Sequence, residues 1–232
     1  MFYPMYYFDP TYFLILIGVL ISMAASAKLN ATYQRYSAVR SRCGMTGEEA
    51  ARRLLMSQGI YDVQVRRVSG RLTDHYDPRT KTVNLSDTVY GSTSIAAIGV
   101  AAHECGHAMQ DAGDYAPLRI RAALVPVANF GAQLSWPLII IGILLGGGSL
   151  VSLGILLFSL AVLFQIVTLP VEYNASSRAV KLLDSTGILV GQEVGQTRSV
   201  LNAAALTYVA AAAASLLQLL RLVLLFGNRR RD

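Results

Sequence analysis

Charged residues are scarce in this sequence: Asp, Glu, Lys and Arg make up 15% of its 232 residues, and hydrophobic residues make up 53%. An average soluble domain has about 25% charged residues, so the composition argues against an ordinary soluble protein. Four long uncharged runs cover residues 11–27, 122–145, 150–169 and 203–220. Each is close to the roughly 20 residues that a helix needs to cross a bilayer, which predicts a multipass membrane protein in contact with lipid.

Positive charge is absent from the first ten residues, whereas 13 of the 20 basic residues lie between Lys28 and Arg121. The positive-inside rule therefore predicts an outer amino terminus and a cytoplasmic segment over residues 28–121. No basic region precedes the first run, so residues 1–27 are expected to be an uncleaved anchor rather than a signal peptide. Because the basic residues are dispersed among acidic ones, nucleic acid is not expected to be a partner.

The second and third runs are joined by Gly-Gly-Gly-Ser at residues 146–149, which is long enough only for a tight turn. These two runs should therefore form a hairpin that returns the chain to the cytoplasm near Leu169. A fourth span would then place Arg229–Arg231 outside, against the positive-inside rule. For the last segment, spanning the membrane, lying along it and re-entering remain alternatives.

Histidine is also scarce, with three in the chain, and two of these stand in His103-Glu104-Cys105-Gly106-His107. This sequence has the H-E-x-x-H pattern, and on a helix residues i and i+4 share a face, so both imidazoles can bind one Zn²⁺. Glu104 lies at the same edge and can take a proton from a water that zinc polarises. The alternative is a polar turn of a core helix, but buried polar groups there would need other partners.

Local signals predict the elements around this motif. Ser92, Thr93 and Ser94 are candidate helix caps and Gly113 is a stop signal, which predicts a helix over about 94–112. Thr46 and Glu49 form the capping-box pattern of another helix. A strand is predicted over 61–68, and segments 72–76 and 81–85 flank a turn sequence and predict a β-hairpin. An edge strand beside such a helix is a common place for a peptide substrate to bind by strand addition.

A zinc site with an open position needs a third protein ligand. His75 lies in the predicted hairpin, and Glu193 lies in a predicted loop between two glycines. Glu172 follows the third run directly, on the same side of the membrane as the H-E-x-x-H helix, and its position favours it. In the alternative interpretation, Glu172 opens a helix and is stabilised there by the helix dipole.

Three further residues are weaker candidates for steadying the oxyanion or the ligands, namely His75, Tyr208 and Arg178. Each has a structural alternative. His75 could order its hairpin with Asp74 or Asp77, Tyr208 could pack within its helix, and Arg178 could pair with Asp184 or a lipid head group.

Cysteine contributes little, because Cys43 and Cys105 are the only two in the chain. A cytoplasmic location disfavours a disulfide between them. We interpret Cys105 as a small residue of the zinc helix rather than as an oxidation-sensitive neighbour of the metal.

Four stretches resemble YugP-like bacterial membrane zinc metallopeptidases; they are Leu72–Pro78, Val100–Ala108, Leu169–Ser176 and Val200–Tyr208. The resemblance covers nearly the whole chain and implies a gluzincin-type site with Glu172 as the third zinc ligand. The layout is more distantly similar to that of HtpX-like proteases and prenyl-protein endoproteases. Those proteins have E-x-x-x-D in the second motif, and here Ser176 stands at the Asp position.

Together these features predict a mainly α-helical multipass membrane protein with a zincin-like helix and a small β-hairpin. The expected segments are an anchor (1–27), a cytoplasmic zinc-peptidase segment (28–121), a transmembrane hairpin (122–169), a segment with the third ligand (170–202) and a carboxyl-terminal membrane helix with a basic tail (203–232). The predicted function is a zinc-dependent endopeptidase that acts on a protein or peptide. The alternative is a membrane scaffold or assembly factor with a structural or vestigial zinc site, although closed structural sites usually have four protein ligands.

Overall fold

A computed structural model describes residues 9–227 of the chain, so the first eight residues and the Arg229–Arg231 cluster lie outside the described part. The described residues form seven α-helices and three strands: α1 (Tyr12–Ser37), α2 (Gly47–Ser57), β1 (Gln64–Val68), β2 (His75–Asp77), β3 (Thr82–Ser86), α3 (Asp87–Tyr90), α4 (Ile95–Ala112), α5 (Ala116–Leu144), α6 (Gly148–Ser185) and α7 (Gln192–Phe226). The mainly α-helical class is therefore confirmed.

The chain divides into two compact units, and the boundaries between them fall within α1, α5, α6 and α7. The apolar unit comprises the described residues of Met1–Ala24, Leu124–Ile166 and Val209–Asp232, and the site unit comprises Ala25–Ala123 and Val167–Tyr208. Helices α1, α5, α6 and α7 are each long and apolar enough to cross a membrane. Large apolar side chains such as Leu20, Ile140, Leu156 and Leu224 are exposed on them. A folded protein in water would rarely leave so many exposed together, so these surfaces suit lipid.

Within the apolar unit, α1 and α7 pack closely and run in opposite directions. A Cβ atom placed on Gly18 of α1 would lie 3.1 Å from Cα of Ala214 in α7. Further along, Arg221 of α7 donates from Nε to Thr11 Oγ1 at 3.1 Å, and its Nη2 lies 3.3 Å from Asp9 Oδ2. The carboxyl-terminal part of α7 thus lies beside the beginning of α1.

The site unit contains the elements that local sequence signals predicted. Thr46 Oγ1 accepts a hydrogen bond from Glu49 N, and Glu49 Oε2 accepts one from Thr46 N at 2.8 Å, so the capping box of α2 is confirmed. Helix α4 begins after Ser94, whose side chain accepts a hydrogen bond from Ala97 N, and it ends before Gly113. The core between α2, α4 and the sheet is formed by fully buried side chains that include Leu54, Val83, Leu85 and Ile98.

The sheet has the order β1-β3-β2, with β1 parallel and β2 antiparallel to the central strand β3. The predicted hairpin is confirmed, with His75 opposite Asn84 and Asp77 opposite Thr82. The first predicted strand is shorter than expected, because β1 begins only at Gln64. Strand β2 lies at an edge of this sheet.

Two expectations about where helices begin were wrong, one for Glu172 and one for Glu193. Glu172 does not open a helix: α6 runs without interruption from Gly148 to Ser185 and includes Pro170. The side chains of Val171, Ala175, Ala179 and Leu183, spaced by four residues, are all fully buried, and this packing outweighs the hydrogen bond that the proline removes.

Glu193 likewise belongs to a helix and not to a loop, because α7 begins at Gln192 and continues through Gly195. Its carboxylate is buried and accepts hydrogen bonds from the backbone N–H groups of Arg42, at 2.8 Å, and Val190. Both carboxylate oxygens are therefore engaged in holding the start of α7.

Candidate metal centre

Helices α4 and α6 together gather the three residues expected to bind metal. His103 and His107 lie one turn apart on α4, with ring centroids 4.7 Å apart. Oε2 of Glu172, from α6, lies 3.3 Å from Nε2 of His103 and 3.7 Å from Nε2 of His107. One potential ligand atom from each residue lies within 4.8 Å of the others, so a single metal ion could be held between them.

Close packing of the two helices makes this approach possible. A Cβ atom placed on Gly106 would lie 2.5 Å from the carbonyl oxygen of Ala175, which is far too close for a real contact. Glycine at position 106 therefore allows the backbone of α4 to approach α6. Because Gly106 stands between the two histidines and Ala175 follows Glu172 by three residues, the contact fixes the spacing of all three candidate ligands.

Hydrogen bonds to the outer nitrogens orient both imidazole rings. Nδ1 of His103 lies 3.1 Å from Oγ of Ser176, and Nδ1 of His107 lies 3.0 Å from Oε1 of Gln110. Gln110 donates from Nε2 to the carbonyl oxygen of Val171, so its Oε1 is the acceptor and Nδ1–H of His107 is the donor. In the neutral ring, Nε2 of His107 then carries a lone pair, which is the form that binds a metal.

These donor atoms fit a zinc ion. Oε2 of Glu172 is buried and receives no hydrogen bond. It faces the Nε2 atoms of His103 and His107. A cation between these three atoms would bind the lone pair of each of them. Two imidazole nitrogens and a carboxylate oxygen are a donor set that zinc takes in proteins with an open fourth position.

The electrostatics of the cluster also favour a cation. Burial alone would lower the pKa of His107, but its contact with Glu172 and the charge of Glu104 outweigh burial, so this pKa lies above its ordinary value. The negative potential that favours a proton on His107 also attracts a metal ion. Cys105 takes no part: it is fully buried, its Sγ donates to the carbonyl of Ala51, and burial raises the pKa of its thiol.

A cavity of about 140 Å³ opens beside the cluster. Glu104, His103 and Glu172 line one part of it, and Tyr208 of α7 reaches the same space. The rest of the lining comprises Leu29, Tyr33, Leu72, Asp74, Val100, Ser176, Val200, Leu201, Ala204 and Ala205. Buried Glu104 and two of the candidate ligands, His103 and Glu172, thus line one mainly apolar cavity within the site unit.

His75 and Arg178 are not among the residues that line this cavity. His75 is exposed on β2, with Nδ1 2.8 Å from the carbonyl oxygen of Thr73 and Nε2 3.2 Å from Nδ2 of Asn84. Arg178 donates from Nε to Oδ1 of Asn174, and its guanidinium lies 5.9 Å from the centre of the Tyr115 ring. Both side chains are held by partners other than those that the sequence suggested.

Two contacts at the cluster were missed from the sequence. Nη1 of Arg121 lies 3.4 Å from Oε1 of Glu172, and Gln110 links His107 to α6. Gln110 follows His107 by three residues and so shares its helix face, a spacing that could have identified it. No local pattern marks Arg121, because its contact depends on how α5 and α6 meet.

The hairpin is tied to α4 by Asp111. Tyr76 donates from its hydroxyl and Lys81 from its ammonium group to Oδ2 of Asp111, each at 2.7 Å. Burial and the Asp111 carboxylate raise the pKa of Tyr76, which therefore remains a neutral donor. These two bonds connect β2 and the turn before β3 to the end of the helix that carries both histidines.

Residues 11–227 match the family described as "Putative neutral zinc metallopeptidase". The chain belongs to this zinc metallopeptidase family. A relative of this chain, "Putative membrane protease YugP" of Bacillus subtilis (strain 168), is 48% identical over 220 residues, which cover 95% of the chain and 98% of the relative. No solved structure matches the chain significantly. Family membership implies zinc as the cofactor, and the cluster of His103, His107 and Glu172 is a site that fits it.

Proposed function

We propose that the chain is a membrane-embedded, zinc-dependent endopeptidase in which His103, His107 and Glu172 hold the metal and Glu104 is the general base. The observation that carries this proposal is the position of Glu104. Its buried carboxylate lines the same cavity as His103 and Glu172, whose ligand atoms lie with that of His107 within 4.8 Å of one another. Family membership supports the reaction class.

The chain's own residues would prepare the site before any substrate enters. Gln110 keeps Nδ1 of His107 protonated, which leaves Nε2 of His107 free for the metal. The hydroxyl oxygen of Ser176 lies 3.1 Å from Nδ1 of His103 and can accept its proton, and Nε2 of His103 is free for the metal in that tautomer. When bound, zinc would act as a Lewis acid that polarises a carbonyl group and makes a water molecule more acidic.

Glu104 would then move the proton. Its carboxylate accepts one proton from the attacking water as the oxygen of that water bonds to the scissile carbonyl carbon. Glu104 later donates the proton to the nitrogen of the leaving amine as the C–N bond breaks, so one water is consumed for each peptide bond. The cavity excludes most solvent around Glu104, which strengthens its interactions with the reacting groups.

Tyr208 would assist from α7. Its phenol lines the cavity together with Glu104 and Glu172, where an O–H donor could stabilise the negative charge that develops on the carbonyl oxygen. The contacts of His75 with Thr73 and Asn84 instead support its structural alternative, which is to order the hairpin.

The substrate would be a peptide segment in extended form. Strand β2 lies at the sheet edge and is tied to α4 by Asp111, so a peptide added along β2 would lie near the zinc helix. The mainly apolar cavity would take a side chain next to the scissile bond. The distribution of basic residues supports a cytoplasmic location for this site.

The direct test uses the full-length protein purified in detergent with an unfolded protein as substrate. We expect one zinc per chain, cleavage of the substrate, loss of cleavage after treatment with a chelator, and recovery on addition of zinc. A protein that binds zinc firmly but cleaves nothing under any of these conditions would favour the scaffold alternative.

A further inference from the structure

The carboxylate of Glu172 has two oxygens with different neighbours. Oε2 faces the histidines, at 3.3 Å from Nε2 of His103, and Oε1 lies 3.4 Å from Nη1 of Arg121. We propose that Arg121 is a positioning residue that holds one oxygen of Glu172 so that the other points at the metal. This inference rests on the proposed zinc site.

Burial makes such a partner necessary. Glu172 is 3% exposed, and an ionised carboxylate at that depth is costly without a nearby cation or hydrogen-bond donors. Within residues 9–227, Arg121 is the one lysine or arginine that forms an ion pair with it. An arginine presents several N–H groups in a rigid plane, so it fixes the orientation of a carboxylate as well as its charge.

The fold places Arg121 through a short and well-connected segment. Helix α4 ends at Ala112, and N–H of Tyr115 in the following turn donates to the carbonyl oxygen of Gln110. The side chain of the same Gln110 donates to the carbonyl of Val171, the residue before Glu172. Gln110 is therefore hydrogen-bonded both to the residue before α5 and to the turn of α6 that carries Glu172. These two bonds hold the start of α5, and with it Arg121, close to Glu172.

Two neighbouring arginines pair with residues other than Glu172. Arg119 lies two residues earlier on α5, is exposed, and pairs with Asp114 at 3.1 Å. Arg178 lies on α6 itself but contacts Asn174 and Tyr115 instead of Glu172. Arg119 therefore provides a matched control with the same side chain on the same helix.

The sign of the effect separates two roles for Arg121. A guanidinium that acted only through its charge would repel the metal ion, and its removal would tighten zinc binding. A guanidinium that orients Glu172 would have the opposite effect, because its removal frees the carboxylate to turn away. Positioning therefore predicts weaker binding in the variant.

The experiment measures zinc affinity of the full-length protein in detergent, by competition with a chelator of known affinity. For Arg121→Gln we expect an affinity about 10- to 100-fold weaker, the usual effect of removing a partner of a metal ligand. Arg121→Lys should lose less, because its ammonium group can still donate a hydrogen bond to Oε1 of Glu172, although without the planar fork. Arg119→Gln should bind like the wild type. Wild-type or tighter binding by Arg121→Gln would overturn the proposal.

A double variant tests whether Arg121 acts through Glu172. In a Glu172→Gln background, which removes the carboxylate, Arg121→Gln should cause almost no additional loss of affinity. An undiminished effect there would show a general structural role and overturn the proposal. If Arg121→Gln does not fold, a weaker affinity in Arg121→Lys supports the proposal and a wild-type affinity contradicts it. A wild-type protein that binds no zinc in this titration overturns the proposed function instead.

Discussion

Oε2 of Glu172 lies 3.3 Å from Nε2 of His103, although one residue belongs to α6 and the other to α4. The contact joins the H-E-x-x-H helix to α6, which is one of the helices long and apolar enough to cross a membrane. It also gives the candidate site its third donor atom.

The role of Glu172 can be tested by shortening or removing its side chain. Glu172→Ala should weaken zinc binding by more than the roughly 10- to 100-fold typical of residues that only support a ligand. Glu172→Asp should restore part of the affinity, because its shorter side chain moves the carboxylate away from the histidines. Metal analysis after dialysis gives the measurement. Glu193→Ala is the control, because the Glu193 carboxylate accepts hydrogen bonds from backbone N–H groups at the start of α7. Loss of zinc in Glu193→Ala with zinc retained in Glu172→Ala would contradict the assignment.

The close approach of α4 to α6 predicts a specific sensitivity at Gly106. In Gly106→Ala the new methyl group would meet the carbonyl of Ala175, so the helices must separate. Overpacking of this kind typically costs about 1–3 kcal/mol, and we expect both a lower melting temperature in detergent and weaker zinc binding. Gly91→Ala is the control, because a Cβ there meets nothing within 4 Å. Equal behaviour of the two variants would show that the helices do not need this contact.

The apolar cavity predicts a change in cleavage preference. Ala204 lines the cavity, and Ala204→Leu would fill part of it while leaving every candidate ligand in place. Mass spectrometry of the cleavage products should show fewer cuts beside large apolar residues, while zinc content stays the same. Ala211→Leu, at an exposed position of the same helix, should leave the preference unchanged. An unaltered cleavage pattern in Ala204→Leu would mean that substrate side chains bind elsewhere.

Much of the site unit was predictable because its signals are local. The caps at Thr46, Ser94 and Gly113 and the turn between β2 and β3 are set by neighbouring residues, and the structure confirms them. The continuity of α6 through Pro170 was not predictable in this way. It depends on apolar packing against other helices, which a single sequence does not reveal.

In the candidate site, too, some features follow from neighbouring residues and others depend on the packing of distant segments. The H-E-x-x-H spacing alone brings His103 and His107 to one helix face. The contact of Arg121 with Glu172, in contrast, depends on the turn after α4 and on the packing of α6. Such a contact joins residues that share no sequence pattern, so only the folded chain reveals it.

The pairing of Arg221 with Asp9 predicts the membrane topology of the last helix. Because the end of α7 lies beside the start of α1, α7 should cross the membrane and its end should lie on the side of the amino terminus. In a background without Cys43, single cysteines at Ser149 and Gly227 should react with an impermeant thiol reagent in intact cells. A cysteine at Arg40 should be protected. The buried Cys105 should not react until the protein is unfolded.

Two labelling patterns would contradict this topology. Protection at Ser149 with reaction at Arg40 would reverse the orientation of the whole chain. Reaction at Ser149 with protection at Gly227 would show that α7 re-enters instead of crossing.

The most direct test of the proposed function replaces Glu104 by glutamine, which has nearly the same shape but cannot accept the proton of water. Glu104→Gln should keep one zinc per chain and lose at least about 100-fold in cleavage rate, since positioned acid–base groups contribute about 10²- to 10⁴-fold. Glu48→Gln, which weakens the pair of Glu48 with Arg52 on α2, should retain full activity. Wild-type cleavage by zinc-loaded Glu104→Gln would contradict the account.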